Sequence, residues 1–345
     1  METKYVKIDD IGAGAGVLSE AAEIIRRGGL VVFPTETVYG LGASALDSDA
    51  AAKIYAAKGR PSDNPLIIHI SSPDEAEKYC FVSPLYKNLA DRFLPGPLTV
   101  IMKKRDVIPS TVTGGLDTVA VRCPANAVAR KLIELSGVPI AAPSANISGR
   151  PSPTSAAHVM ADLDGKVDMI IDGGECDIGL ESTIILLDGE KATLLRPGAV
   201  TPKMLSDVIQ NLEIDNGITQ KSDRNGAPLA PGMKYRHYAP RAKVYLLSGD
   251  DGAIIKFINE QRKKNENIGV LCFDEIASEL SGENIVSFGK RNDEKTHAKK
   301  LFSALRYFDG TMVNEIYATA VSKNGIDLAT YNRMLKASGY TLIEL

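Results

Sequence analysis

The chain has 345 residues and a formal net charge of −3 at pH 7, and this length suits two domains that each bury a core of their own. Residues 1–210 carry 21 Lys and Arg against 26 Asp and Glu, a balance that argues against a protein coating nucleic acid. The four cysteines and four histidines are scattered, without metal-binding or disulfide spacing. We therefore expect no disulfide, no structural zinc and no protein-held metal.

Two absent signals predict the compartment. No apolar run approaches the roughly 20 residues that a membrane helix needs. The first residues, Met-Glu-Thr-Lys-Tyr, lack the basic and apolar pattern of a signal peptide. We expect a cytoplasmic protein that does not enter a membrane.

The first two thirds of the chain alternate short apolar runs, which predict strands, with amphipathic segments, which predict helices. Ser19 is predicted to cap the first helix, and Asp49 the second. Asp188-Gly189-Glu190 separates two apolar runs and indicates a hairpin, so the sheet should be mixed. Strands are predicted at 30–33, 66–70, 98–102, 118–122, 139–142, 169–171, 182–187 and 192–195, and helices at 19–28, 49–56, 126–135 and 154–160.

The composition changes near residue 212. Pairs such as Asn-Gly, Ala-Pro and Pro-Gly crowd into the following segment, where no helical or strand period is visible. The segment also carries a dense run of cationic and aromatic side chains, namely Lys234, Tyr235, Arg236, His237 and Tyr238. A simple spacer has little use for such groups, so we interpret residues 213–241 as a functional linker.

Alternation resumes after the linker, with strands predicted at 244–247, 268–272 and 316–320 and helices at 252–264, 293–308 and 326–337. The fold class is therefore α/β, with a twisted mixed sheet and flanking helices in residues 1–212. Residues 242–345 are predicted to form a second, smaller α/β domain of Rossmann-like character.

Residues 58–66, Lys-Gly-Arg-Pro-Ser-Asp-Asn-Pro-Leu, form the most informative stretch. Lys58 and Arg60 lie two residues apart among turn-forming residues, which predicts an exposed, stiffened loop that presents positive charge. Fixed cations beside hydroxyl and amide groups suit a polyphosphate. The alternative is an ordinary solvated turn.

Residues 34–42 place Thr35, Glu36, Thr37 and Tyr39 directly after a buried strand. Ligands tend to bind where the strands of an α/β sheet end, so these hydroxyls are candidates for gripping a small polar substrate. A threonine-rich turn that caps the next element is an equally good interpretation.

Two further stretches contain candidate anion-binding groups. Residues 144–154 offer hydroxyls, Asn146 and Arg150 before a helix, which suits phosphate, although such a loop is more often structural. Arg122 ends a predicted strand and is able to clamp a carboxylate with two hydrogen bonds. Glu134 and Asp117 are alternative partners for this arginine.

Several common nucleotide and hydrolase motifs are missing. There is no Walker A pattern, and the glycines of residues 12–16 have the wrong spacing for a dinucleotide fingerprint. A Gly-x-Ser-x-Gly elbow is also absent. These absences disfavour P-loop, Rossmann-cofactor and serine-hydrolase functions.

Taken together, the stretches resemble the YrdC family in its long, two-domain form. The resemblance rests on residues 34–42, 58–66, 118–122, 144–154, 181–183 and 196–199, in the family's order, and on Pro-Gly-Met-Lys-Tyr-Arg-His-Tyr-Ala-Pro at 231–240. It covers essentially the whole chain. The Lys-Gly-Arg loop and the His-Tyr-Ala-Pro segment are its most specific parts.

The resemblance implies a nucleotidyltransferase that makes L-threonylcarbamoyl-AMP and pyrophosphate from L-threonine, bicarbonate and ATP. The product would supply the N6-threonylcarbamoyl group for tRNA adenosine, installed by a separate transferase, so tRNA would be a partner only indirectly. Mg²⁺ would bridge the phosphates of ATP and keep several waters.

The resemblance also implies roles for individual residues. The catalytic cations would be Lys58 and Arg60, and Tyr238 would touch the ligand from a linker folded over the site. Threonine would be bound by Thr35, His69, Arg122, Ala142 and Ser182. ATP would be bound by Lys58, Ser62, Asn64, Thr118, Ser144, Asn146, Ser152, Arg196 and Tyr238.

Two alternatives remain at this stage. The first domain also resembles the carbamoyl-adenylate-forming part of a hydrogenase-maturation protein, but this chain lacks the cysteine pairs and the acyl-transfer domain of that protein. An RNA-binding or ribosome-assembly module is the other alternative, and the acidic balance of residues 1–210 weighs against it.

Overall fold

The structure is a computed structural model that describes residues 2–221, 228–233 and 237–345. Lys234, Tyr235 and Arg236, which the sequence analysis singled out, lie outside the described residues, as do residues 222–227. Within the described ranges, no helix combines the length and the apolar character needed to cross a membrane.

The larger part of the chain forms one eleven-stranded sheet. Its strand order is β1-β8-β2-β3-β7-β4-β6-β5-β9-β10-β11, with parallel and antiparallel neighbours. The strands are β1 (Lys4–Lys7), β2 (Val31–Phe33), β3 (Gly40–Ser44), β4 (Ile67–His69), β5 (Leu98–Lys103), β6 (Thr118–Arg122), β7 (Ile140–Ala141), β8 (Met169–Asp172), β9 (Thr183–Asp188), β10 (Lys191–Arg196) and β11 (Asn211–Ile214).

Helices cover both faces of this sheet. Because successive side chains of a strand point to opposite faces, Val32 packs into one core while Phe33 packs into the other. The helices are α1 (Ala15–Arg26), α2 (Ser48–Lys58), α3 (Pro84–Phe93), α4 (Ser110–Thr113), α5 (Ala127–Ser136), α6 (Ala156–Leu163) and α7 (Pro202–Ser206), with 3₁₀ turns at Pro73–Lys78 and Asn216–Ile218.

The second sheet has five strands, all parallel, in the order β14-β13-β15-β12-β16. A helix makes every crossover, as parallel strands require. The elements are β12 (Lys243–Ser248), α8 (Asp251–Arg262), β13 (Ile268–Cys272), α9 (Asp274–Ala277), β14 (Ile285–Ser287), α10 (Glu294–Asp309), β15 (Glu315–Thr319), α11 (Asp327–Ala337) and β16 (Leu342–Glu344). The predicted α/β class, with a twisted mixed sheet and a smaller α/β domain, is confirmed; the second sheet is parallel like a Rossmann sheet but has another strand order.

Two predicted helix starts are wrong. The helix α1 begins at Ala15, so Ser19 lies inside it and donates its hydroxyl to the carbonyl oxygen of Ala15, 2.9 Å away. Asp47, not Asp49, caps α2 by accepting hydrogen bonds from two backbone N–H groups of the first turn. In both cases an earlier residue satisfies the helix start, and local residue preference alone does not fix which one.

The first sheet continues past residue 212, since β11 pairs in parallel with β10 as far as Ile214. Asp215 then caps the short 3₁₀ turn by accepting from the N–H of Gly217. A cut at residue 212 would therefore remove half of this edge strand. The division of the chain at residues 1–212, 213–241 and 242–345 stays a prediction.

We predict that a first-domain fragment ending at Lys221 is more stable than one ending at Leu212. The shorter fragment loses the last two pairings of β11 and the buried Ile218, which should lower its free energy of unfolding by about 1–3 kcal/mol. Urea unfolding of both fragments measures the difference, and both lack the same second domain. Equal unfolding midpoints would contradict this account of β11.

Candidate active site

A pocket opens where three strands of the first sheet end, β4 at His69, β6 at Arg122 and β10 at Arg196. The loops after β2 and β7 and a part of the linker complete its walls. The lining residues are Thr37, Val38, Tyr39, Gly40, Arg60, Ile67, His69, Arg122, Ala142, Pro143, Ser144, Asn146, Arg150, Ser152, Glu181, Ser182, Arg196, Pro231, Gly232, His237 and Tyr238.

Ten of the residues that the resemblance implicated are brought together in this pocket. They come from segments more than 170 residues apart in the sequence, and the sheet register places them on one edge. They are Arg60, His69, Arg122, Ala142, Ser144, Asn146, Ser152, Ser182, Arg196 and Tyr238.

The sequence predicted that Arg60 lies on an exposed loop, but this residue is buried and only 9% exposed. Its guanidinium donates to the carbonyl oxygens of Asn64, at 3.2 Å, and Pro65, at 3.0 Å. Burial lowers the pKa of Arg60 to about 10, which leaves the group charged at neutral pH. Residues 58–66 thus fold back on themselves and hold a buried cation at the pocket wall.

Lys58 is also buried, and it lies behind the pocket wall rather than in the pocket. Its ammonium donates to the carbonyl oxygens of Ser144 and Asn146. Burial, and then the nearby charge of Arg60, lower the pKa of Lys58 well below its usual value. The expectation of an exposed lysine is therefore wrong, because Lys58 sits at the end of α2 beneath the loop that follows β7.

Arg196 is the second buried guanidinium of the pocket. It donates from Nε to the carbonyl oxygen of Ser182, at 3.0 Å, and from Nη2 to the Ser182 hydroxyl, at 3.2 Å. Burial lowers its pKa to about 10. The Ser182 hydroxyl also lies 2.7 Å from that of Thr99, so its position is fixed from both sides.

Arg122 pairs with Glu36, with 2.7 Å between Nη2 and Oε1, and both side chains are buried. Neither Glu134 nor Asp117, the partners considered from the sequence, contacts it. Burial favours a raised pKa for the Glu36 carboxyl, but the charge of Arg122 outweighs this and holds the pKa below its usual value. The pair remains ionised and fixes the loop after β2 against the end of β6.

His69 presents a neutral imidazole to the pocket. Burial, followed by the charge of Arg122, lowers its pKa to about 3. Its Nδ1 atom is buried and has no hydrogen-bond partner among the described residues, and the same holds for Nε2 of His237. Buried polar atoms in native structures rarely lack partners, so these two nitrogens mark positions suited to a bound ligand.

Glu181 is the only carboxylate among the pocket-lining residues that the structure describes. It accepts a hydrogen bond from the Ser152 hydroxyl. It also forms an ion pair with Arg333, whose Nε atom lies 3.0 Å from Oε2 of Glu181. Opposite Glu181, the hydroxyl of Ser144 donates to Oδ1 of Asn146. The hydroxyls and amides of this wall are therefore held in place by the protein.

Part of the linker covers the pocket. Tyr238 has a positive φ of 64°, a backbone conformation that a bulky residue adopts only when its surroundings require it. Its ring packs on Phe302 of the second domain, with ring centres 5.3 Å apart. The N–H of the next residue, Ala239, donates to the carbonyl oxygen of Gly149 at 2.9 Å, which ties this segment to the loop below it.

The remaining five implicated residues do not line the pocket. The Thr35 hydroxyl is used within its own turn, bonding to Thr37 and to the carbonyl oxygen of Val38. Ser62 is exposed, and Thr118 lies at the far end of β6 from Arg122. Asn64 is buried with Oδ1 unpartnered in the described structure, and Lys58 supports the loop as described above.

Sequence reasoning missed several pocket residues that it had in view. Glu181 stands inside the motif at residues 181–183 and lines the pocket, but an acidic residue was not expected beside a polyphosphate. His237 and Gly232 lie in the linker segment that the resemblance covered. The motifs themselves pointed to these residues, because every polar residue in a motif is a candidate for the pocket.

The pocket does not fit a metal held by protein side chains. Its carboxylate, Glu181, already bonds Ser152 and Arg333, and Glu36 is committed to Arg122. No cluster of three or more His, Cys, Asp or Glu side chains suited to a metal occurs in the described ranges.

Comparison with known proteins identifies the family of this α/β chain, whose cationic pocket lies at the strand ends. The family described as "Telomere recombination", which comprises Sua5, YciO and YrdC proteins, matches residues 23–198. A second family, "Threonylcarbamoyl-AMP synthase, C-terminal domain", matches residues 200–339. The two matches together follow nearly the whole chain.

Full-length relatives agree. The chain is 44% identical to the threonylcarbamoyl-AMP synthase of Bacillus subtilis, with complete coverage of both chains. It is 48% identical to that of Pyrococcus abyssi, over 94% of this chain and 95% of the relative. A crystal structure of P. abyssi Sua5 complexed with L-threonine superposes with a TM-score of 0.92 at 45% identity, covering 100% of each chain. The chain thus belongs to the Sua5/YrdC family, in its two-domain threonylcarbamoyl-AMP synthase form, and the resemblance is confirmed.

We predict that Lys58→Ala lowers the free energy of unfolding by roughly 2 kcal/mol, because it leaves two buried carbonyl oxygens without a donor. The control is Lys53→Ala on the same helix, whose exposed lysine donates to one carbonyl, that of Gly28, and whose loss should cost under about 1 kcal/mol. Chemical denaturation compares the two variants. Equal stability of both would show that Lys58 does not hold the loop.

Proposed function

We propose that the protein catalyses formation of L-threonylcarbamoyl-AMP and pyrophosphate from L-threonine, bicarbonate and ATP. The amine of threonine adds to CO₂ derived from bicarbonate and becomes a carbamate. A carbamate oxygen then attacks the α-phosphorus of ATP, and pyrophosphate leaves. The full-length relatives named threonylcarbamoyl-AMP synthase support this assignment.

The observation that carries the proposal is the pair of buried guanidiniums, Arg60 and Arg196. In the part of the chain that the structure describes, neither forms an ion pair with a carboxylate; carbonyl and hydroxyl oxygens hold both. A buried charge without a counter-ion is costly, and a polyanionic ligand between the two arginines offsets that cost. We assign the triphosphate to this side of the pocket.

Catalysis of this kind needs positioning and charge neutralisation rather than a covalent nucleophile. We assign Arg60 and Arg196 to the developing charge on the phosphates. Ser144 and Ser152 are proposed to shape the same side of the pocket, since their hydroxyls already donate to Asn146 and Glu181. Lys58 serves as a positioning residue, since it orders the loop of Ser144 and Asn146. Asn64, through its amide oxygen without a partner in the described structure, remains a candidate for ATP binding. Ser62 and Thr118 do not line the pocket, and their role in ATP binding stays a prediction.

We place threonine at the end of the pocket formed by His69, Arg122, Ala142 and Ser182. The neutral imidazole of His69 and the hydroxyl of Ser182 match its ammonium and hydroxyl groups. Arg122 is the candidate for its carboxylate, and Thr35 shapes the turn above. The P. abyssi Sua5 structure that contains L-threonine supports an amino-acid site in this fold.

The linker is proposed to close the site, with Tyr238 beside the ligand. A water-excluding cover matters because a carbamoyl adenylate hydrolyses readily. Mg²⁺ is proposed to arrive as the counter-ion of ATP. We also propose that the reaction takes place in the cytoplasm and that a separate transferase consumes the product to modify tRNA.

We predict that pyrophosphate release requires threonine and bicarbonate together. A coupled pyrophosphate assay, with mass spectrometry of the adenylate, measures this. Serine lacks one methyl group, and its kcat/KM should be about 10–200-fold lower. Pyrophosphate release without bicarbonate, or equal rates with serine, would overturn the substrate assignment.

Arg122→Lys should raise the KM for threonine about tenfold while the KM for ATP changes little. The lysine retains a charge for Glu36 but loses the two-pronged geometry that a carboxylate requires. Steady-state kinetics with each substrate varied in turn gives both constants. A parallel rise in both KM values would assign Arg122 to the structure of the pocket instead.

A further inference from the structure

The second domain reaches into the candidate active site through one face of α11. Arg333 is fully buried, and its guanidinium contacts the first domain at Glu181 and at the carbonyl oxygen of Pro197. On the same helix, Asn332 donates to the carbonyl oxygen of Ile218 at 2.7 Å, and Lys336 donates to that of Gly232 at 2.8 Å.

Arg333 meets Glu181 at two points. Its Nε lies 3.0 Å from the carboxylate, and its Nη2 donates to the backbone oxygen of the same residue at 3.3 Å. The other carboxylate oxygen of Glu181 accepts from Ser152. Glu181 is therefore fixed between a residue of the first domain's pocket wall and an arginine that only the second domain supplies.

The position of Glu181 makes this contact consequential. Its carboxylate lines the same pocket as Arg60 and Arg196, and the charge of Arg196, after that of Arg333, also lowers the pKa of this carboxyl. Without Arg333, a buried negative charge would face the polyphosphate and would draw Arg196 toward itself. Removing one partner of a buried pair leaves the other uncompensated, which is costly.

We propose that Arg333 is a positioning residue for ATP binding: it neutralises Glu181, holds it toward Ser152, and leaves Arg196 free for the phosphates. This inference rests on the proposed function, because it takes the ligand of the arginines to be ATP. It assigns the second domain a direct part in completing the nucleotide site, through a single side chain.

The test measures the affinity of the full-length protein for a non-hydrolysable ATP analogue by calorimetry. Arg333→Met should weaken binding about tenfold, which corresponds to ~1.4 kcal/mol. The double variant Glu181→Gln with Arg333→Met should bind nearly as well as Glu181→Gln alone, because no unpaired carboxylate remains. If the loss of affinity in the double variant equalled the product of the losses in the two single variants, the residues would act independently and the proposal would be overturned.

Arg306→Met is the matched control. Arg306 is also a buried arginine of the second domain that pairs with a first-domain carboxylate, Asp162, at 2.8 Å. Asp162 does not itself line the pocket, and in this variant it keeps its ion pair with the pocket residue Arg150, so the variant should loosen the docking of the domains with much less effect on ATP affinity. Equal weakening by both variants would mean that domain docking in general, and not the charge of Glu181, controls binding.

A further variant protects the test against misfolding. Arg333→Lys keeps the positive charge with fewer donors and should weaken analogue binding less than the methionine variant does, with a circular dichroism spectrum like that of wild type. Wild-type affinity in both variants would refute the inference while leaving the proposed function intact. Absence of analogue binding by the wild-type protein would instead count against the proposed function itself.

Discussion

Buried positive charge, without a carboxylate partner among the residues that the structure describes, dominates the pocket. Arg60 and Arg196 are held by carbonyl and hydroxyl oxygens, which orient a guanidinium without neutralising it. A folded chain tolerates such groups when hydrogen bonds satisfy their N–H donors and a ligand supplies the missing negative charge. The loops after α2 and β7, the hairpin of β9 and β10, and the linker all take shape around this requirement.

The acidic residues of the site follow from the same constraint. Glu36 balances Arg122 at one end of the pocket, and Glu181 is balanced by Arg333 rather than by Arg196. Each carboxylate thus forms its ion pair with an arginine other than Arg60 and Arg196. This separation keeps the pocket positive although the chain as a whole is acidic, with a net charge of −3.

The two domains form one functional unit through their contact surface. Val38, Leu180 and Tyr238 pack into the apolar core of the second domain, although the first two belong to the pocket's own loops. Arg333 and Lys336 add polar contacts at the same surface. A pocket wall that is also an interdomain contact depends on how the second domain is docked, which gives the smaller domain a physical influence on the site.

The sequence alone determined the fold class, the motifs of the site and most of the strands, although β1, β3, β11, β14 and β16 were not predicted. The segment 118–122 was predicted as a strand and is β6, because a short apolar run with β-branched residues has few other stable conformations. Eight of the ten pocket residues lie in motifs with a recognisable order, and His69 and Ala142 lie in or at the end of predicted strands. Those features depend on local pattern, which a sequence displays directly.

The tertiary structure decided burial, pairing and which groups meet. Lys58 and Arg60 looked exposed in a loop of turn-forming residues, yet both are buried. Lys58 lies beneath the distant loop of Ser144 and Asn146, and Arg60 is held by the carbonyl oxygens of Asn64 and Pro65. Arg333 stood in an ordinary predicted helix, and nothing local linked it to Glu181, 152 residues away. The solvent exposure and the ion pairs of a residue depend on which other segments pack against it. This long-range packing is fixed only when the sheets form and the domains dock.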